Sequence, residues 1–196
     1  MVGHPLANLA HVFVLGIDPG LSRCGYCVLE AEAPSRQPVG RGRAGGRSGH
    51  RAVALGVITT PPSADVPVRL AELQRELRDL LREHRPSVVA VERVLFQVNV
   101  RTAMSVGQAS GIAMVEAVTA GAEVVQYSPN EVKQAVTGFG GADKVQVQQM
   151  VQVLLGLRRL PEPPDAADAA ALALCHLAVA PMREAEQRAT MREVAR

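Results

Sequence analysis

Residues 12–18, VFVLGID, are apolar up to the last position, which is a carboxylate, and Pro19-Gly20 follow at once. An apolar run of this length stopped by a turn reads as a buried strand. Such a strand has no use for a lone charge, because an unpaired buried carboxylate costs several kcal/mol or takes up a proton. Asp18 therefore either caps a turn or is held at a strand end for its chemistry. The pattern recurs in PSVVAVE, residues 86–92, a short apolar strand that again ends in an acid, Glu92. Open α/β sheets gather their sites at strand ends, so two acid-tipped strands constrain both the fold and the place of its site.

The remaining segments supply such a sheet. Residues 26–30 read as a second strand after a glycine-bearing turn, and 52–60 as a third, stopped by Pro61-Pro62. These three strands form an antiparallel meander. Residues 31–51, AEAPSRQPVGRGRAGGRSGHR, are rich in Gly, Pro and Arg and read as a flexible loop. Leu70, Leu73, Leu77, Leu80 and Leu81 recur at helical spacing and predict a helix over 67–85. A helix over 101–120 carries Ala, Gly and Ser, which allow another element to pack closely. Residues 122–127 are a fifth strand. Ser128-Pro129 opens a short helix ending near Gly138. Asp143 caps a longer one, with Gln146 at the capping-box position. A last helix begins after prolines near Asp165, and residues 181–196 form a charged tail, either helical or frayed. The expectation is one α/β domain over 1–180, a mixed five-stranded sheet with helices on its faces.

Composition narrows the function. A length of 196 residues suits one domain, and a net charge of +2 is too mild to mark a nucleic-acid binder, so any basic surface is local. The aromatics are Phe13, Phe96, Phe139, Tyr26 and Tyr127, without Trp, which excludes a sheet-wide base-stacking platform. Three cysteines cannot all pair, so a disulfide scaffold is not expected. The start lacks a basic signal region, and no apolar run is expected to reach the ~18 residues that span a bilayer. The expected compartment is the cytoplasm, without membrane association.

Asp165 and Asp168 add a third acidic element, since a spacing of three puts both on one helical face. Asp18, Glu92, Asp165 and Asp168 could converge on one spot. Acids that close repel one another and need cations. Hard oxygen ligands favour magnesium or manganese over zinc. Two such ions about 3.5–4 Å apart are the usual device for hydrolysing a phosphodiester. Each acid also has a plain reading: Asp18 as a turn residue, Glu92 as a surface acid, Asp165 as an N-cap, Asp168 as a first-turn dipole partner. Spacing alone leaves both readings open.

GIDPGLSRCGY, VAVERVLFQ-N, GQASG, YSPNEVKQAVTGFGGADKVQVQQMV and PPDAADAAALALCH, in order from Val12 to about Ala180, resemble the RuvC family of Holliday junction resolvases. The resemblance implies a ribonuclease-H-like fold and magnesium-dependent, symmetric cleavage of four-way DNA junctions during recombination and repair. It implies a homodimer and partnership with the RuvA–RuvB branch-migration complex. By motif, Asp18, Glu92, Asp165 and Asp168 are the catalytic acids that hold two Mg2+ ions, for which Mn2+ can substitute. Lys133 and Lys144 match residues placed against the phosphate backbone, and Arg93 and Arg101 are further DNA-contact candidates. The helix containing Gly107 and Gly111 matches the one packed across the dimer axis. One departure stands out. Three residues after the strand-end glutamate the family commonly has a Phe that wedges into the junction, whereas this chain has Leu95 with Phe96 beside it.

Other motifs weigh less. Cys24-Gly-Tyr-Cys27 lacks a second CxxC, and on a strand its cysteines face opposite ways, so both are expected to be small core or turn residues. His176 lies about 12 Å along the helix from Asp168, too far to share a metal, and His84 reads as a C-terminal dipole partner. The arginines of the loop, Arg36, Arg41, Arg43, Arg47 and Arg51, fit either a DNA-binding arm or a solvated insertion. Gly138-Phe-Gly-Gly141 fits either a backbone-amide cradle for phosphate or a helix C-cap and turn. A junction-binding platform without chemistry and an actin-like ATPase are the rival functions. Retention of all four acids weighs against the first, and the short chain against the second.

Overall fold

The computed structural model describes residues 11–32, 49–94 and 100–194. Five strands form one sheet: β1 (His11–Asp18), β2 (Arg23–Glu32), β3 (His50–Thr59), β4 (Val88–Glu92) and β5 (Glu123–Tyr127). Their order is β3-β2-β1-β4-β5. β1, β2 and β3 are the antiparallel meander, while β4 and β5 run parallel to β1. Five helices complete the chain: α1 (Val66–His84), α2 (Val100–Thr119), α3 (Pro129–Thr137), α4 (Lys144–Leu155) and α5 (Pro164–Val194).

Strand periodicity sorts the core into two layers. Leu15 and Ile17 of β1 and Val89 and Val91 of β4 join Leu73, Leu77 and Leu81 of α1 and Ala109, Ala113 and Ala117 of α2. Val14, Val88, Ala90 and Tyr127 face the other way, onto α3, α4 and the Ala-rich start of α5. Asp18 shares the parity of Val14, and Glu92 that of Val88 and Ala90. Both strand-end acids therefore belong to the layer of α5.

Glycines set the depth of α5. A β-carbon added at Gly16 would lie 2.0 Å from the Ala169 carbonyl oxygen, and one at Gly25 would lie 2.0 Å from that of Asp165. These backbone contacts lock the first turns of α5 onto β1 and β2, next to Asp18. The alanines Ala166, Ala167, Ala169, Ala170 and Ala173 are fully buried there, so the helix closes on the sheet without large side chains.

Several boundaries differ from the sequence reading. β2 starts at Arg23 rather than residue 26, because Cys24 and Gly25 pair across to β1 and β3. The expected loop over 31–51 contributes Ala31, Glu32, His50 and Arg51 to strands, and its residues 33–48, with Arg36, Arg41, Arg43 and Arg47, lie outside the described residues. In the charged stretch from residue 181, α5 continues through Pro181 to Val194. Glu, Gln, Arg, Met and Ala in that stretch are good helix formers. Pro164–Met182 also has the length and hydropathy of a membrane-crossing helix, against the expectation that no run does, and 50% of that window is buried inside the protein.

Candidate active site

Parallel pairing puts Ile17 opposite Val91, so the next residues, Asp18 and Glu92, leave neighbouring strands side by side. Both line a cleft of about 440 Å3 together with Asp168 of α5, Lys133 of α3 and Lys144 of α4. The fourth acid, Asp165, sits in the first turn of α5, where its carboxylate accepts a hydrogen bond from the Arg23 guanidinium. Lys144 donates to Asp168 Oδ2 at 2.6 Å. Three chain segments thus deliver the four acids expected from the sequence, and α3 and α4 bring the two expected lysines.

The short helices are held where they are by their caps. Ser128 and Glu131 form a reciprocal capping box at α3, and Asp143 and Gln146 do so at α4. Asp143 thereby fixes the start of α4, and with it the stem of Lys144.

The electrostatics register the convergence. Burial pushes the Asp18 carboxyl up from 3.8 to about 7; the charges of Glu92, Asp168 and Asp165 add to this, and Lys144 opposes it. Burial likewise raises Glu92, reinforced by Asp168 and opposed by Lys144. The hydrogen bond to Asp168 holds the Lys144 ammonium above its ordinary value, against partial burial. A pocket in which carboxylates raise one another's proton affinity is short of positive charge.

All four candidate donors carry hard carboxylate oxygens, which fit magnesium or manganese and give zinc no Cys or His ligand. Among the described residues no three His, Cys, Asp or Glu side chains are gathered as a metal-holding group as they stand. Two of the acids instead hold side-chain cations, Asp165 with Arg23 and Asp168 with Lys144. Arg23 is the participant that sequence reasoning did not single out. It stands at the start of β2, and no spacing within its motif reveals a partner 142 residues away.

Other candidates resolve plainly. Arg93 is exposed, with its backbone N–H on the Tyr127 carbonyl and its guanidinium donating to the Gln126 carbonyl at 3.4 Å, so it sits at the sheet end outside the cleft lining. Leu95 and Phe96 lie outside the described residues, as does the side chain of Arg101. Cys24 and Cys27 do face opposite core layers, and burial pushes both thiols up to about 12, which leaves them unreactive. His176 Nδ1 meets the Tyr127 hydroxyl at 2.9 Å, a packed histidine as expected. His84 is in the last turn of α1.

The loop after α3 is a C-cap and turn rather than an amide cradle. Gly138, at φ 76°, gives its N–H to the Gln134 carbonyl. The N–H of Phe139 goes to Thr137 Oγ1, that of Gly140 to Gln134 Oε1, that of Ala142 to the Phe139 carbonyl and that of Asp143 to Gln146 Oε1. These amides are taken up internally and cannot cradle a phosphate.

Comparison with known proteins follows the same lines. The sequence model of the family Crossover junction endodeoxyribonuclease RuvC matches residues 14–176. The Crossover junction endodeoxyribonuclease RuvC of Syntrophomonas wolfei is 45% identical over 164 residues, 84% of this chain and 87% of its own. Among solved structures, Thermus thermophilus RuvC superposes with a TM-score of 0.74 at 34% identity, covering 87% of this chain and 96% of that one. The structure of T. thermophilus RuvC in complex with Holliday junction substrate gives 0.75 at 35% identity, covering 88% and 96%.

Proposed function

Because the chain belongs to the RuvC family of crossover junction endodeoxyribonucleases, with the ribonuclease-H-like fold of its T. thermophilus neighbour, we propose that its cleft resolves four-way DNA junctions by paired, symmetric nicks in homologous recombination and DNA repair. One observation carries the reading: Asp18, Glu92 and Asp168 share a cleft with Lys133 and Lys144. The lysines suit a phosphate backbone, and the acids suit its hydrolysis.

The reaction depends on divalent metal. We assign this to two magnesium ions, replaceable by manganese, held by Asp18, Glu92, Asp165 and Asp168. When bound, such ions lower the pKa of the attacking water and neutralise charge on the leaving oxygen. The chain's own groups do the rest. Lys133 and Lys144 hold the phosphodiester over the strand ends. Asp165 and Asp168 pair with Arg23 and Lys144 in the free site; were they to hold the ions instead, both side-chain cations would be left for the DNA. Asp18 gives up the proton that its buried carboxyl retains near neutral pH in the free site. Water then attacks phosphorus in line, and the bond to the 3′ oxygen breaks, leaving a 3′-hydroxyl and a 5′-phosphate.

A two-fold junction calls for two sites. α2 supports a homodimer: Ala109, Ala113 and Ala117 bury one face, while Met104, Val115 and Val118 stay more than 60% exposed, and Gly107 and Gly111 open onto empty space. Leu95 and Phe96 take the wedge role, Arg93 and Arg101 give further backbone contacts, and RuvA–RuvB is the partner complex, in the cytoplasm.

The discriminating experiment compares binding of a synthetic four-way junction in calcium with its cleavage in magnesium. Binding in both with nicking in magnesium supports a resolvase. Binding without nicking in magnesium or manganese makes the chain a junction-binding platform.

A further inference from the structure

One arginine is buried against neutral partners. Arg69, in the first turn of α1, is 9% exposed. Its Nε donates to Thr60 Oγ1 at 3.0 Å and its Nη2 to Ser22 Oγ at 2.5 Å. Among the described residues no carboxylate forms an ion pair with it. Taking a charge out of water is costly unless it is paired and well hydrogen-bonded, so a guanidinium on two hydroxyls calls for a reason. A neutral side chain could not replace it simply. The planar fork sets two donors in one fixed geometry and never loses its protons.

Both hydroxyls lead to the acid site. The buried Thr60 hydroxyl passes its own proton to the Leu21 carbonyl at 2.5 Å, so it accepts from Arg69. The Thr60 N–H donates to the Ser22 carbonyl at 3.3 Å. Leu21 and Ser22 belong to the connection between β1 and β2, residues 19–22, whose ends are Asp18 and Arg23. Asp18 lines the cleft, and Arg23 holds the Asp165 carboxylate. Gly20 makes the connection tight, since an added β-carbon there would lie 2.2 Å from the Arg23 carbonyl oxygen. A segment this short passes a displacement of Leu21 or Ser22 on to both of its ends.

We propose that Arg69 is a positioning residue for the cation centre: through Thr60 and Ser22 it fixes the β1–β2 connection, and with it the place of Asp18 opposite Asp165. This rests on the metal reading above. Arg69 touches neither the ions nor the DNA in this account. It raises cation affinity by keeping the acids in place before an ion arrives, as groups that orient metal ligands do.

The test titrates the full chain with Mn2+ in the absence of DNA, read by the EPR signal of free Mn2+, and follows single-turnover junction cleavage across Mg2+ concentrations. Arg69→Met keeps the buried stem and removes both donors. It should weaken Mn2+ binding about ten-fold, the low end for groups that orient metal ligands. The half-saturating Mg2+ should rise alike, while the rate at saturating Mg2+ stays within about two-fold, because bound ions then hold the acids themselves. Arg69→Lys, which keeps the charge on a single donor head, should fall between Arg69→Met and the wild type. Ser22→Ala alters an exposed residue and should weaken Mn2+ binding about three-fold. Adding Arg69→Met to it should cost less than Arg69→Met costs alone, since the two share one contact. Leu77→Val trims a buried side chain further along α1 and should lower the melting temperature with wild-type Mn2+ affinity. Wild-type Mn2+ affinity in Arg69→Met, or in Ser22→Ala where Arg69→Met does not fold, would overturn this inference alone. A loss of affinity in Leu77→Val equal to that in Arg69→Met would overturn it as well. A wild-type chain that binds neither Mn2+ nor Mg2+ would overturn both the inference and the metal reading beneath it.

Discussion

Replacing Asp18 by Asn should stabilise the metal-free protein, and by an amount that depends on pH. The Asp18 carboxyl titrates near 7 in the folded chain, against 3.8 for its ordinary value, because it is buried and faces Glu92, Asp168 and Asp165. Below the ordinary value both folded and unfolded chains hold the proton, and Asp18 contributes no pH dependence. Between that value and about 7 the unfolded chain has lost the proton while the folded chain keeps it. The folded state then binds more protons, so stability falls as pH rises across this window. Above about 7 the penalty is complete, at about 4 kcal/mol by order of magnitude. Asn has the same shape and no charge to bury. Urea unfolding in EDTA should therefore give nearly equal stability for Asp18→Asn and wild type near pH 4. The variant should be more stable by up to about 4 kcal/mol at pH 8. Added magnesium should narrow the gap by stabilising the wild type through binding. A variant no more stable than wild type at pH 8, or a gap of the same size at pH 4, would refute the argument that this carboxylate is held against its own charge.

Three further outcomes follow from the geometry. Glu92→Gln and Asp168→Asn should each reduce junction cleavage by more than about 100-fold while leaving binding in calcium within a few-fold, as single-turnover assays would read. Gly25→Ala forces a β-carbon onto the Asp165 carbonyl; it should cost about 1–3 kcal/mol as an overpacked contact and slow cleavage by shifting Asp165, whereas an unchanged melting curve would mean that α5 does not rest on that glycine. Lys133→Ala and Lys144→Ala should weaken DNA binding with little sequence bias and each lower the salt slope by about 1, so a loss confined to one cleavage sequence would contradict backbone contact.

The acids were legible in the sequence because burial writes itself into strands as period and parity. VFVLGID and VVAVE each state a buried strand and a terminal charge, and equal parity sends both charges toward one helix. Spacing gave Asp165 and Asp168 a common face for the same geometric reason. The caps of α3 and α4 were legible because a capping box is local, closed within three residues, as Asp143 and Gln146 show. The cation partners were not. Arg23 on Asp165 and Lys144 on Asp168 are set by how deeply α5 lies on the sheet. That depth depends on Gly16 and Gly25 meeting carbonyls of a helix more than a hundred residues away. A glycine in a strand pattern signals a bulge or a close approach without saying to what. The loop at Gly138 was ambiguous for a related reason: whether its amides are free depends on Gln134 and Thr137, whose side chains have other partners open to them in an unfolded chain.

Whether acids from β1, β4 and α5 act as one cation-dependent centre is tested most directly by cleavage of a synthetic mobile four-way junction in magnesium, beside linear duplex of the same sequence, by the wild type and by Asp165→Asn. The expected result is paired, symmetric nicks in the junction only, lost in the variant while junction binding in calcium persists. Undiminished nicking by Asp165→Asn, or cutting of linear duplex as readily as of the junction, would contradict it.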